Sequence, residues 1–387
     1  MHITSLSNGG QSLFAVVVFG AVAGCAHAQE GNTEKLKLRA GLTQSQDSNI
    51  QRLVDAKSQS DQINIQTLDV NVALPYAQQR LQLEANLADH KHQTFTKLDY
   101  TGLSYNAAWR WSLTPTLMGT LGTKRIESLN SAADSLDPGL RNLNVTKIDN
   151  LNAGYLLGGP WQLFGDYSKG SSTNERAVLG ATDAIYQSST AGISYTPSPG
   201  NSLNYARRID SGTSTSSYTY NGHALVAVYT PTVNTTIKGR IAHLEQHFAV
   251  DPRFDFSGLV GGLEAAWRVT PKTNINASWM RDITTFQTLD STHARTDTFS
   301  LAPSWQIRPT LLIGMSYKKA VRDGLGSLKS ISSARQDHTQ ETAWNITWQP
   351  RAYFVLRGSL AKASRTSNVI DQDFTAQVVS LGAQFIY

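Results

Sequence analysis

Proline returns about every forty residues along this chain, each time beside a run in which apolar and polar residues alternate. The positions are Pro75, Pro115, Pro160, Pro197 and Pro199, Pro231, Pro271, Pro309 and Pro350. Proline has no N–H to give to a sheet ladder, so these sites predict turns between strands, and a constant period predicts one hairpin unit repeated eight times. Between the turns lie longer polar stretches, Gln44 to Gln62, Glu127 to Thr146, Gly170 to Gln187 and Asp323 to Gln336. Short turns therefore alternate with long loops. Eight turns bring sixteen strands, and one strand before the first long loop plus one after the last make eighteen, with sixteen or fourteen as alternatives.

The alternation has the period of a strand with two different faces. Thr101, Leu103, Tyr105, Ala107, Trp109, Trp111 and Leu113 share one face of a strand, and Gly102, Ser104, Asn106, Ala108, Arg110 and Ser112 share the other. The same split separates Leu81, Leu83, Ala85 and Leu87 from Arg80, Gln82, Glu84 and Asn86. Aromatic residues gather next to the turns at Trp109, Trp111, Tyr195, Tyr229, Trp267, Trp305 and Trp348, as in a membrane-interface girdle. With 40% hydrophobic and 16% charged residues the chain is too polar for a helical membrane protein, and after residue 28 no run of about 18 apolar residues is found. These features predict an all-β, antiparallel transmembrane barrel over residues 29–387. Pro303 lies inside a predicted strand and predicts a bulge there.

Residues 1–28 read as a signal peptide, because the apolar run Leu13 to Ala23 is followed by Ala26-His27-Ala28 before Gln29. A rival reading takes Val22-Ala23-Gly24-Cys25 as a lipobox, with Cys25 lipidated. No Lys or Arg precedes Lys35, so the basic segment usual in a leader is missing. At the other end, Phe385 and Tyr387 close an alternating strand that resembles the signature read by the barrel assembly machinery of the outer membrane. The expected location is the outer membrane of a Gram-negative bacterium, with its lipid as partner.

Motifs that could carry chemistry are few. His243, Glu245 and His247 share one strand face with metal-like spacing, although a solvated rim accounts for them as well. Asp89-His90 and Asp337-His338 are sequence neighbours, so on a strand they point to opposite faces and cannot form dyads by themselves. Nucleophile elbow and phosphate loop are both missing, and the one cysteine lies in the leader. No enzyme activity, cofactor or metal is expected, and the net charge of +5, spread without a cluster, gives no support to nucleic-acid binding.

The strand phase sends Lys37, Arg39, Arg80, Arg110, Lys124, Arg208, Lys238, Arg240, Arg268, Lys318 and Arg357 inward, against Glu84, Asp166, Glu264 and Asp282. This predicts a basic lumen and a preference for anions, or else ordinary lumen residues paired with acids and loops.

Several short elements are similar to the EpsL family of outer-membrane barrels, associated with exopolysaccharide clusters and exosortase systems. They are Leu98-Asp99-Tyr100-Thr101-Gly102 with Ala108-Trp109-Arg110-Trp111, Arg141-Asn142-Leu143-Asn144, Pro199-Gly200-Asn201-Ser202-Leu203, and Asp255-Phe256-Ser257-Gly258 leading to Trp267. The resemblance implies a non-enzymatic conduit for polysaccharide, acidic polymers included, working with periplasmic export partners. The alternatives are a general diffusion porin for small solutes and, from another class, a barrel enzyme acting on lipid A or an envelope polymer. An export conduit would be obstructed at rest, whereas a diffusion porin would conduct steadily.

Overall fold

The computed structural model describes residues 36–135, 137–177, 182–214, 216–250, 252–285, 293–326 and 334–387. The leader, its cleavage before Gln29 and the lipidation of Cys25 fall outside these residues. Eighteen strands form one sheet. In chain order they are β1 (Leu36–Asp47), β2 (Asp61–Tyr76), β3 (Gln79–His92), β4 (Tyr100–Ser112), β5 (Leu117–Leu129), β6 (Leu143–Gly158), β7 (Trp161–Asn174), β8 (Ala184–Ser198) and β9 (Asn201–Thr213). There follow β10 (Ser217–Thr232), β11 (Thr235–Phe248), β12 (Phe256–Thr270), β13 (Thr273–Thr285), β14 (His293–Arg308), β15 (Leu311–Leu325), β16 (Gln336–Arg351), β17 (Phe354–Ser367) and β18 (Phe374–Ile386).

Every strand pairs antiparallel with its sequence neighbours, and β1 pairs with both β2 and β18, so the sheet closes on itself and has no edge. One circuit of the ladders climbs by about 22 residues, which at a rise of ~3.3 Å and a strand spacing of ~4.8 Å implies a tilt of roughly 40° and a radius of about 18 Å. The eighteen-strand expectation is met.

Directly opposite residues share a face, and the registers make that face continuous around the wall. Leu68, Leu87, Leu103, Leu121, Leu151 and Tyr167 lie on the outer one and are exposed to the surroundings of the barrel, as are Trp109, Trp161, Trp267, Trp305 and Trp348. Contacts that skip a strand identify the concave side: Arg240 on β11 reaches Asp282 on β13, and Gln384 on β18 reaches Asp69 on β2. A side chain can bridge across an intervening strand in this way only where the wall curves toward it.

The short-turn end also carries both termini of the barrel. Pro115, Pro160, Pro199, Pro271 and Pro309 occupy turns, but Pro75, Pro197, Pro231 and Pro350 lie in the last residues of their strands. Ladder irregularities accompany three of these, between Tyr195 and Ser198, Tyr229 and Thr232, and Trp348 and Arg351. The missing N–H is thus absorbed where pairing already ends. At Pro303 the bulge expectation fails. Pro303 pairs with Ile275, and the ladder from β14 to β15 simply drops Ala302 and Pro303 and resumes at Ser304 in the same register. The long connections are also shorter than their polar composition predicts: β1 runs to Asp47, β5 to Leu129 and β7 to Asn174, because the ladder continues above the apolar belt where both faces are polar.

Candidate functional site: the lumen and its narrowing

All eleven basic residues named from the strand phase, and the four acids, lie on the concave face by register. Arg39 stands opposite Asp69, Arg80 opposite Arg110, Lys124 opposite Asn106, and Arg208 opposite Gly222. Lys238 stands opposite Glu264, Arg240 opposite Gly262, Arg268 opposite Asn274, Lys318 opposite Glu341, and Arg357 opposite Gly382. Several of them are neutralised in place. Lys238 meets Glu264 at 3.1 Å, Arg240 meets Asp282 at 2.9 Å, and Arg208 meets Asp210 at 2.5 Å. Arg357 donates to Gln384 at 3.0 Å.

Six further carboxylates share this face: Asp47, Asp61, Asp69, Asp210, Asp337 and Glu341. Arg322 and Arg365 join the cations. The excess of positive charge is therefore smaller than eleven against four. The signal for these residues was in the sequence, since Asp47 continues the phase of Lys37 and Arg39, but Asp47 and Asp61 lie in a stretch, Gln44 to Gln62, whose polarity reads as loop.

Buried charges of the long-loop half are paired. Arg322 and Arg335 both bind Asp337, at 2.6 and 3.0 Å, and Asp337 is 1% exposed. Arg52, in the connection 48–60, binds Asp47 with two parallel hydrogen bonds of 2.9 and 2.8 Å. Asp61 accepts from the backbone N–H groups of Thr94 and Phe95, which ties the connection 93–99 to the top of β2.

The connection between β5 and β6, residues 130–142, does not stay above its own strands. Ala133 is buried in one cluster with Ala363 of β17 and Phe374 and Ala376 of β18, about a third of the way around the wall. Gly139 of the same segment lies against Gln51, so closely that a Cβ there would sit 2.8 Å from the amide nitrogen. A second inward patch is apolar: Ala242, Leu244, Phe248, Phe256 and Val260 pack together, with Phe254 of the connection 249–255 folded onto them. Together these segments narrow the long-loop mouth. Sequence periodicity could not reveal this, because a non-repeating loop carries no strand phase.

The motifs that resemble the exopolysaccharide family have structural employment here. Asp99 accepts the His92 backbone N–H at 2.7 Å, and Asp255 accepts that of Phe248 at 2.7 Å. Asp183 and Asp373 do the same for Asn174 and Ser367, so one aspartate device closes four long connections. Arg141 donates to the Asp99 carbonyl at 3.0 Å and clamps Glu175. Burial pushes the Asp99 carboxyl up, but the His92 N–H and ring and the Lys91 ammonium together hold it below the usual carboxylate range. Asn144, 2% exposed, bonds Ser172 and Asn174. Asn201 accepts from Thr230 N–H beside the turn at Gly200, whose φ of +83° favours glycine.

Residues with possible chemistry are dispersed. Asp89 accepts from Thr101 on the outer face, while His90 stacks on Tyr100 on the inner one at 4.4 Å. Asp337 is buried inward, and its neighbour His338 is on the outer face with Trp344. His243 and Glu245 lie 3.8 Å apart on the outer face, and His247 turns to Asp255 at 3.0 Å. The described residues show no group of three His, Cys, Asp or Glu that could hold a metal. Phe385 lies outward against Phe354 with ring centroids 4.9 Å apart, and Tyr387 is 90% exposed.

Residues 238–386 match the family model described as Putative beta-barrel porin 2. No curated protein matches the chain. Among solved structures, the chain is similar to OpdK of Pseudomonas aeruginosa with vanillate, at a TM-score of 0.53 and 9% identity over 92% of this chain and 100% of the other. OccK2 (OpdF) of Pseudomonas aeruginosa in complex with glucuronate gives 0.53 and 10% over 91% and 97%, and a BenF-like porin from Pseudomonas fluorescens Pf-5 gives 0.53 and 8% over 92% and 100%. The model match and the fold likeness are to porins and lend no support to the exopolysaccharide family. The architecture is that of an outer-membrane porin, a closed antiparallel barrel of eighteen strands.

Proposed function

We propose that this protein is an outer-membrane diffusion porin for small solutes, not a polysaccharide conduit and not an enzyme. The observation that carries the reading is the docking of Ala133, in the connection after β5, on the β17–β18 wall. It narrows a barrel of about 18 Å radius by a loop and leaves no separate plug domain among the described residues. A narrowing of this kind suits passage of single solutes, and the porin family match over 238–386 points the same way. The basic residues Arg80, Arg110, Lys124, Arg268 and Arg39 give the passage a mild preference for anions.

The test compares a deletion strain with its complemented parent. A solute porin predicts slower entry of small anionic nutrients and unchanged surface polysaccharide. Loss of surface polymer with normal solute uptake would overturn the proposal in favour of export, and steady ion conductance of the purified barrel in planar bilayers would support it directly.

A further inference from the structure

The charged residues are sorted along the barrel axis. The eight short turns, the four strand residues on each side of them, and the terminal four of β1 and β18 at the same end contain no Asp or Glu. They do contain Arg80, Arg110, Arg268, Lys272, Arg308 and Arg351 among other cations. Every inward carboxylate lies deeper, toward the long loops. Arg80 and Arg110 are directly opposite each other on β3 and β4, on the concave face. Like charges so placed, with Cβ atoms ~5 Å apart, destabilise a ladder unless something neutral or negative separates them. Their neighbours on the face, Pro75, Gln82, Ala108, Ser112 and Thr120, are all neutral. The first carboxylate along β3 is Glu84, four residues or ~13 Å away. Neither guanidinium makes a hydrogen bond or ion pair with any described residue, in contrast to Lys238 and, higher in the wall, Arg208 and Arg240.

We propose that Arg80 and Arg110 form a binding site for an oxyanion, carboxylate or phosphate, at the short-turn mouth of the lumen, on the periplasmic side. Two guanidinium groups on adjacent strands can each offer a planar pair of N–H donors to one tetrahedral or planar oxyanion, a match that an ammonium lacks. The surrounding rim, free of acids among the described residues, adds a field that concentrates anions there, strongest at low salt. The site fits an anionic solute leaving the channel. This inference rests on the solute-channel reading for its role, but the site itself does not depend on conduction.

The experiment titrates the full-length, detergent-solubilised barrel with inorganic phosphate by calorimetry at low ionic strength. It compares the native protein with Arg80→Gln, Arg110→Gln and the double variant, each first shown to keep heat-modifiable migration. Arg80→Lys/Arg110→Lys, which keeps the charge, is the second comparison. Charge-assisted hydrogen bonds predict a loss of about tenfold in affinity per arginine and an intermediate loss in the lysine variant. Equal affinity in native and double-Gln proteins would overturn the site. Phosphate held by these arginines in a barrel that passes no ions would leave the site standing and overturn the channel.

Discussion

Ala133, in the connection between β5 and β6, is buried against Phe374 at the head of β18, so a loop from one part of the wall is fastened to another. The contact is small and apolar, and Ala363 and Ala376 complete it. A carboxylate introduced there would lose water among apolar side chains, at a cost of at least ~1–3 kcal/mol. Ala133→Asp should therefore release the segment 130–142 and raise single-channel conductance and current noise in planar bilayers. An unchanged conductance would mean that the docked segment does not bound the ion path.

A second fastening is electrostatic. Arg141 meets Glu175 at 2.5 Å, and the hydrogen bond from Arg141 holds the Glu175 carboxyl below its usual range against a weaker opposing effect of burial. Glu175 raises Arg141 in return. A carboxylate with a depressed value in the folded state stabilises the fold above its unfolded value of ~4.3, and the contribution is lost as pH falls through the folded value. The protection factor of the Leu143 amide, whose N–H also donates to Glu175, should thus fall on acidification below that range and stay flat between pH 6 and 8, once the intrinsic pH dependence of exchange is divided out. Glu175→Gln should show the lowered protection already at neutral pH.

Closure of β1 on β18 leaves detergent no free strand at which to begin separating the ladder. Unboiled protein should migrate differently from boiled protein on a denaturing gel. A variant with Gly41→Pro, placed mid-ladder where Gly41 faces both Thr67 and Gln384, should lower the temperature at which the two forms interconvert.

The wall was legible in the sequence, and the furnishings of its mouth were not. A period of two is imposed on every residue between lipid and water, so Leu81, Leu83, Ala85 and Leu87 announce their face and Arg80 announces the other. The proline period marked the turns because turns tolerate what ladders do not, although Pro75 and Pro350 fell one or two residues inside strands. Above the apolar belt the outward residues become Asp89, Arg125, Lys147 and Lys169, the contrast between faces fades, and strand was read as loop. Asp47 and Asp61 went uncounted for that reason, and the lumen looked more basic than it is. The docking of Ala133 depends on a contact between residues 230 or more positions apart, and nothing local in residues 130–142 encodes it.

Phe385 and Tyr387 lie on the outer face, Phe385 is packed on Phe354, and the Tyr387 N–H and carbonyl pair with Leu38 across the closing seam. Two roles are mixed in these residues: Phe385 adds ring packing worth about 0.5–1.5 kcal/mol, while the Tyr387 side chain, almost fully exposed, adds little packing. If the aromatic ends serve as a recognition signal for the assembly machinery, Tyr387→Ala should sharply reduce the barrel in the outer membrane of living cells. The same variant, unfolded in urea and refolded into detergent without any machinery, should recover native yield and heat-modifiable migration, because the backbone bonds to Leu38 do not need the ring. Phe385→Ala should be impaired in both settings, more in cells than in detergent. Equal yields of Tyr387→Ala and the native protein in cells would remove the signal role and leave the residue with its seam hydrogen bonds alone.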